Sequence, residues 1–411
     1  MVNEYFDLIT YGGDLYYYIF ELANFSVLAF LVLIIYKVGF ININSLIVWI
    51  GIFFSPFLFN YFLFSPTLFG DQFTYAYEVM SLKTTGESWE HNNGDGFAGS
   101  SMNSVTLSAT ILGAIPLPNY MTVTSLAFAN KFMLFITFLW FKRFFNNENE
   151  VLLYFLIPSL VLYSATGLRD TLVMVISIIF IINLIRGKLI LPILLLYPLL
   201  TLKIQMFAVL ALYLLGHLIF QAHRSKNLFT FFLFTIFITG AIYQESILEI
   251  LNLYRVAFVA ENFVAFDGTV SYKAWALYGA ENRDALMLNS IPEAVFLAIL
   301  KLPILLLIPM PWNWSNLFYP LQSIESCLLI YLYCKLTLES KIYKDYEFIL
   351  LSFILIVGLC MYALIMANEG TFVRYRFTIY YPFLLALLYV CRQPKKNIDN
   401  IDNINDKKLL N

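Results

Sequence analysis

The chain has 411 residues, 60% of them apolar and only 13% charged, with a net charge of −2 and a mean hydropathy of +0.75. Soluble domains are about half apolar and about one quarter charged, so this chain has too little polar side chain to coat a water-soluble body. Its near-neutral charge also leaves no basic surface for nucleic acid. The four cysteines, Cys327, Cys334, Cys360 and Cys391, lie in or beside apolar runs without a C-x-x-C pair, which argues against a disulfide framework.

In chain order, residues 1–14 carry Glu4, Asp7 and Asp14 but no Lys or Arg, the wrong charge for a signal peptide. Apolar runs long enough for a hydrocarbon layer roughly 30 Å thick then recur to the C-terminal end. They predict helices over Leu15–Tyr36, Ile43–Phe64 and Met121–Phe141, then a tight pair, Val151–Thr166 and Thr171–Ile185. Leu189–Leu202, Ile204–Phe220 and Leu228–Tyr243 follow, and Leu317–Leu336, Tyr346–Ala367 and Phe377–Val390 complete the set. Val105–Pro118 is short, and Ile291–Pro311 carries Lys301 with Pro292, Pro303, Pro309 and Pro311; both are expected to be half-membrane or interfacial. The expected fold is an all-α polytopic membrane protein of about eleven transmembrane helices, with these two segments and two long outer loops. A single transmembrane domain spans residues 1–396, and the Asn-Ile-Asp-rich stretch 397–411 is expected to be a disordered cytoplasmic tail.

Basic residues set the orientation. Lys142 and Arg143, Arg186 and Lys188, Arg224 and Lys226, Lys335, Lys341 and Lys344, and Arg392, Lys395 and Lys396 fall at alternate helix ends, which are therefore cytoplasmic. The N-terminus is then outside and the C-terminus cytoplasmic. Counting Ile291–Pro311 as a full span would put Lys335–Lys344 outside. Two polar loops, Ser65–Ser104 and Gln244–Ser290, are expected on the outer side with the turns Gly167–Asp170, Lys203, Trp312–Asn316 and Asn368–Arg376.

Ionisable residues near membrane depth are the functional candidates, because each costs about 2.5–3.5 kcal/mol to place there. Asp71, at the start of Asp71-Gln72-Phe73-Thr74-Tyr75, is either a general base toward a hydroxyl or a helix cap. Glu87, Glu90, His91 and Asp95 follow it in a glycine-rich loop. In Gly167-Leu168-Arg169-Asp170, Arg169 is suited to phosphate while Asp170 opens the next helix; the alternative is an interfacial Arg with a capping Asp. Arg374 and Arg376 oppose the positive-inside trend and call for a neutralising anion, either substrate or a carboxylate. Lys203 is a phosphate contact or an interfacial helix end. Arg255 and Arg283 sit among the aromatics of the second loop, which suit sugar stacking or an interfacial belt. No metal-site spacing and no nucleotide-binding motif occurs.

Several stretches carry a resemblance. Leu156-Ile157-Pro158-Ser159 with Ser164-Ala165-Thr166-Gly167-Leu168-Arg169-Asp170, Pro309-Met310-Pro311-Trp312 with Glu325, and Arg374-Tyr375-Arg376-Phe377 with Pro382 resemble segments of the O-antigen and capsule repeat-unit polymerases (the Wzy type). These belong with the GT-C-like membrane glycosyltransferases, whose outer-loop acid Asp71 resembles. The chain departs from the R-x₁₀-G pattern of some polymerases, which does not start at Arg169, Arg255, Arg283 or Arg374. The resemblance implies polymerisation of undecaprenyl-pyrophosphate-linked oligosaccharides of a surface polysaccharide, capsule or lipopolysaccharide, at the outer face of a bacterial inner membrane. From the residues themselves, no cofactor and no metal site are expected. The partners implied by the resemblance are the lipid-linked oligosaccharide, membrane lipids and a chain-length regulator protein. The implied catalytic residues are Asp71, Arg169 and Arg374, and the implied substrate-binding residues are Asp170, Lys203, Arg255, Arg283, Glu325 and Arg376. Two alternatives stay open: a GT-C transferase using a polyprenyl-phosphate sugar, and a flippase or transporter of lipid-linked oligosaccharide.

Overall fold

The computed structural model describes residues 15–63, 71–86, 88, 100–120, 122–223, 234–235, 238, 242–263, 287–307, 318–340, 346–365 and 369–392. Among them are fifteen α-helices and no strand. In order these are α1 Leu15–Lys37, α2 Ile43–Phe57 running into a π-helical turn Leu58–Leu63, α3 Asp71–Thr84, α4 Ser100–Gly113 and α5 Val123–Lys142. Next come α6 Glu148–Phe155, α7 Pro158–Ser164, α8 Asp170–Ile185, α9 Ile190–Leu202 and α10 Ile204–His223. The last five are α11 Gln244–Phe263, α12 Ile291–Leu307, α13 Phe318–Ser340, α14 Tyr346–Ile365 and α15 Glu369–Arg392.

Among the described residues, four stretches are both long and apolar enough to cross a membrane: Ile19–Lys37, Ile43–Asn60, Val123–Lys142 and Tyr346–Ile365. Apolar side chains cover the outside as well as filling the core. Large apolar side chains point outward on α9 (Ile190, Leu194, Tyr197) and α12 (Phe296, Ile299). Polar and charged groups, Glu21, Asn24, Asn60, Asn130 and Lys131 among them, are buried. Water disfavours so apolar an outer surface, whereas lipid accepts an apolar jacket and drives polar groups toward one another. The protein is a helical membrane protein on this evidence.

The helix α8 is apolar nearly all round and buried almost throughout, as expected of a central helix. It packs along α15, whose C-terminal half is buried too. Around this pair, Trp49 and Phe53 of α2 meet Phe135 and Phe138 of α5 and Phe155 of α6. Trp49 lies 4.9 Å from Phe135 and 5.4 Å from Phe138, centroid to centroid. Tilted and edge-on rings at this spacing fill volume and gain quadrupolar attraction.

Prolines account for two departures from the apolar runs. The run Val151–Thr166, expected as one helix, breaks into α6 and α7 at Pro158. Proline has no N–H to donate and forces the residue before it out of helical geometry, and Ile157 stands at φ −56°, ψ 128°. Pro56 likewise leaves the Ile52 carbonyl without its helical donor, and Ser55 Oγ supplies a bond there at 2.7 Å. The chain then widens into the π turn of 58–63, where Asn60 donates to the Pro56 carbonyl at 3.1 Å. The final helix starts at Glu369, not Phe377, so Arg374 and Arg376 are helical rather than in an outer turn. The loops Ser65–Ser104 and Gln244–Ser290 contain α3 and α11, and the segments expected to be half-membrane form α4 and α12. Most of Leu228–Tyr243, the 89–99 stretch, Arg283 with the aromatics around it, Pro309–Trp312 and the tail lie outside the described residues.

Candidate functional site

The turn between α7 and α8 is held from several sides. A helix leaves its last carbonyls without intrahelical donors. Here Lys131 Nζ reaches the Val161 carbonyl at 2.7 Å and Ser164 Oγ at 2.8 Å. Asn60 Nδ2 donates to the Ala165 carbonyl at 2.8 Å, and Asn130 Nδ2 to those of Thr166 and Leu168 at 2.8 and 2.9 Å. Gln72 of α3 accepts from the Gly167 amide at 3.3 Å. Side chains from α2's π extension, α3 and α5 thus fix one short turn. Gly167 is required by contact: a Cβ there would stand 3.2 Å from both Leu126 Cβ and the Val123 carbonyl oxygen.

This turn delivers Arg169 and Asp170 to the N-terminus of α8. Arg169 is the N-cap residue, and no side chain caps the helix. A carboxylate in the first turn is favoured by the positive end of the helix dipole. Asp170 is 1% exposed and bridges two cations: Oδ1 to Lys203 Nζ at 3.1 Å and Oδ2 to Arg374 Nε. Lys203 is the single residue between α9 and α10, extended at φ −161°, ψ 92°. Its ammonium also donates to Thr378 Oγ1 at 3.2 Å and lies 3.7 Å from the Tyr375 ring centroid. Tyr375 stacks on Tyr362 at 5.4 Å, so the lysine rests on an aromatic pair. Burial draws the Lys203 pKa down to about 7, against the opposing pull of Asp170.

Arg374 is shared. Its Nη1 meets Asp71 Oδ2 at 2.9 Å, and the Asp71 side chain is 64% exposed. Asp71 is the first residue of α3, so the cluster joins the starts of α3, α8 and α15 and the α9–α10 break. Arg169 lies within electrostatic reach of Tyr75, Tyr375, Asp170 and Arg374. Its guanidinium forms no hydrogen bond or ion pair with the described residues. Three basic side chains (Arg169, Lys203, Arg374) face two carboxylates (Asp71, Asp170), a positive excess that reaches one full charge when Lys203 is protonated. A net positive charge in a buried setting favours anions over cations.

Five of the candidate residues therefore converge: Asp71, Arg169, Asp170, Lys203 and Arg374. Three others are placed elsewhere. Arg376, two residues on from Arg374, projects roughly 200° away around the helix. Its Nη1 donates to the Leu306 carbonyl in the last turn of α12 at 3.1 Å, and Glu325 is in its electrostatic reach. Glu325 accepts from Ser159 N and Ser159 Oγ, each at 2.8 Å, at the start of α7. Arg255 donates to the Leu364 carbonyl, in the last turn of α14, at 2.9 Å. These side chains neutralise helix ends. Arg283 lies outside the described residues.

No family model, curated protein or solved structure matches the chain. The geometry therefore stands by itself. Asn60, Asn130 and Lys131 were not among the candidates, although a lone lysine inside the apolar run Met121–Phe141 is a signal of its own. Among the described residues, no three of His, Cys, Asp and Glu converge as metal ligands.

Proposed function

We propose that this protein is a membrane glycosyltransferase that polymerises undecaprenyl-pyrophosphate-linked oligosaccharide repeat units at the outer face of a bacterial inner membrane. In this proposal about eleven helices cross the bilayer, with the N-terminus outside and the C-terminus in the cytoplasm. The observation that carries it is the excess positive charge at the buried start of α8, where Arg169 has no hydrogen-bonded partner among the described residues. The motif resemblance and the two arginines against the positive-inside trend support the same substrate.

In the reaction, the bond from the growing glycan's anomeric carbon to the pyrophosphate oxygen breaks. A hydroxyl of the next lipid-linked unit forms the new glycosidic bond and gives its proton to Asp71. Departure of the pyrophosphate builds negative charge, which preset cations stabilise where water is excluded. Arg169 and Arg374 are the cations aimed there, while Asp170 and Lys203 hold Arg374 in position. Arg376, on the opposite side of α15, takes no part.

Replacing Arg169 by Ala should collapse a ladder of glycan lengths to single repeat units while the protein still inserts in the membrane. A full ladder from that variant removes Arg169 from the reaction. Loss of even the single unit points instead to transport of the lipid-linked saccharide.

A further inference from the structure

We infer that Asp71 occupies the phosphate seat beside Arg374, and that an incoming phosphate or pyrophosphate displaces it from there. This rests on the anion-site reading above and adds a device to it: arrival of the anion is what frees the carboxylate.

The two partners of Arg374 are unequal. Asp170 is 1% exposed and is gripped by Lys203 as well, so it cannot leave without stranding a second buried cation. Asp71 touches Arg374 through one oxygen only, and its side chain is open to solvent. Its other oxygen, Oδ1, makes no hydrogen bond to the described residues. The backbone of Asp71 is nevertheless fixed, because Gln72 accepts from the turn at Gly167 and Phe73, Tyr75 and Ala76 are buried behind it. Release of the carboxylate therefore needs only side-chain rotation, with no movement of α3.

Within electrostatic reach of Arg374 stands Arg169, whose guanidinium makes no hydrogen bond or ion pair with the described residues. A phosphate offers several acceptor oxygens where a carboxylate offers two. It can engage Arg169 and Arg374 together, which Asp71 does not. Exchange trades one ion pair, open to solvent on its Asp71 side, for charge-assisted bonds to two guanidinium groups. The displaced carboxylate stays beside the bound anion, no longer held by Arg374 and able to accept a proton. Before the anion arrives, the same carboxylate is masked.

The exchange makes the sign of the Asp71 effect testable. Asp71 carries the ligand's sign of charge and holds a cation the ligand needs, so removing its charge should strengthen binding. The test is calorimetric titration of inorganic pyrophosphate into the purified full-length protein in nanodiscs. Asp71→Asn should bind on the order of threefold to tenfold tighter than wild type, the reach of an ion pair of this exposure. Glu245→Gln, at an exposed acid in the first turn of α11, changes net charge equally and should bind as wild type does. Asp71→Glu, which keeps the competing charge, should bind no tighter than wild type. Equal or weaker binding by Asp71→Asn overturns the inference, and so does an equal gain in Glu245→Gln. Pyrophosphate binding that survives Arg169→Ala undiminished overturns the anion-site reading itself. Geranyl pyrophosphate in place of the inorganic ion should bind tighter and keep the Asp71 effect. If it binds no tighter, the anion comes from solution and not from a prenyl lipid.

Discussion

Asp170→Ala puts the heart of the cluster to the test. The carboxylate is 1% exposed and neutralises Lys203, itself 2% exposed, together with Arg374. Ion pairs in water are worth under about 1 kcal/mol. Stripping the acid from a buried pair instead leaves stranded cations and costs about 3–5 kcal/mol. The two cations differ in how they can respond. Lys203 can shed its proton, since burial already pulls its pKa down to about 7, whereas an arginine cannot. Lys203→Met by itself should cost less, because Asp170 keeps Arg374. The double variant Asp170→Ala/Lys203→Met should be more stable than Asp170→Ala, with a coupling of about 1–3 kcal/mol. SDS-induced unfolding of the purified protein, followed by tryptophan fluorescence, measures all four members of the cycle. Additive losses, or an Asp170→Ala cost under about 1 kcal/mol, would refute a buried bridge.

Two further outcomes follow from the turn that carries Arg169. Gly167→Ala should lower stability by about 1–3 kcal/mol, because the new methyl meets a backbone oxygen at 3.2 Å that has no easy way to move; unchanged thermal unfolding would contradict the contact. Asn130→Leu strips hydrogen bonds from the Thr166 and Leu168 carbonyls. At about 1–3 kcal/mol for a buried group left unsatisfied, it should destabilise the protein and lower glycan chain length together, read by unfolding and by glycan electrophoresis.

Much of the helical layout is visible in the sequence because apolar runs end where charge begins. Leu189–Leu202 and Ile204–Phe220 flank Lys203, and the structure breaks α9 from α10 at that residue. The start of α8 at Asp170 could be read the same way. Other features depend on what the chain does at a distance. Arg374 and Arg376 looked like an outer turn because charge ordinarily ends a span. They are helical because Asp170 takes up the charge of Arg374 and the end of α12 receives Arg376. The partner of Arg374 at Asp71 lies 303 residues away, and no local pattern encodes it. The same holds for Asn60 and Asn130: single amides in apolar helices are ordinary until a turn from another part of the chain is found beneath them. Pro158 was a local signal that the apolar run around it concealed.

The side of the membrane on which the cluster opens bears on the proposal most directly. Asp71→Cys, with Cys327, Cys334, Cys360 and Cys391 replaced by serine, can be probed with a membrane-impermeant maleimide on right-side-out and inverted inner-membrane vesicles. An outward-facing phosphate site requires labelling in the right-side-out vesicles. Labelling confined to the inverted ones would place Arg169 and Arg374 on the cytoplasmic side and exclude a substrate presented from outside.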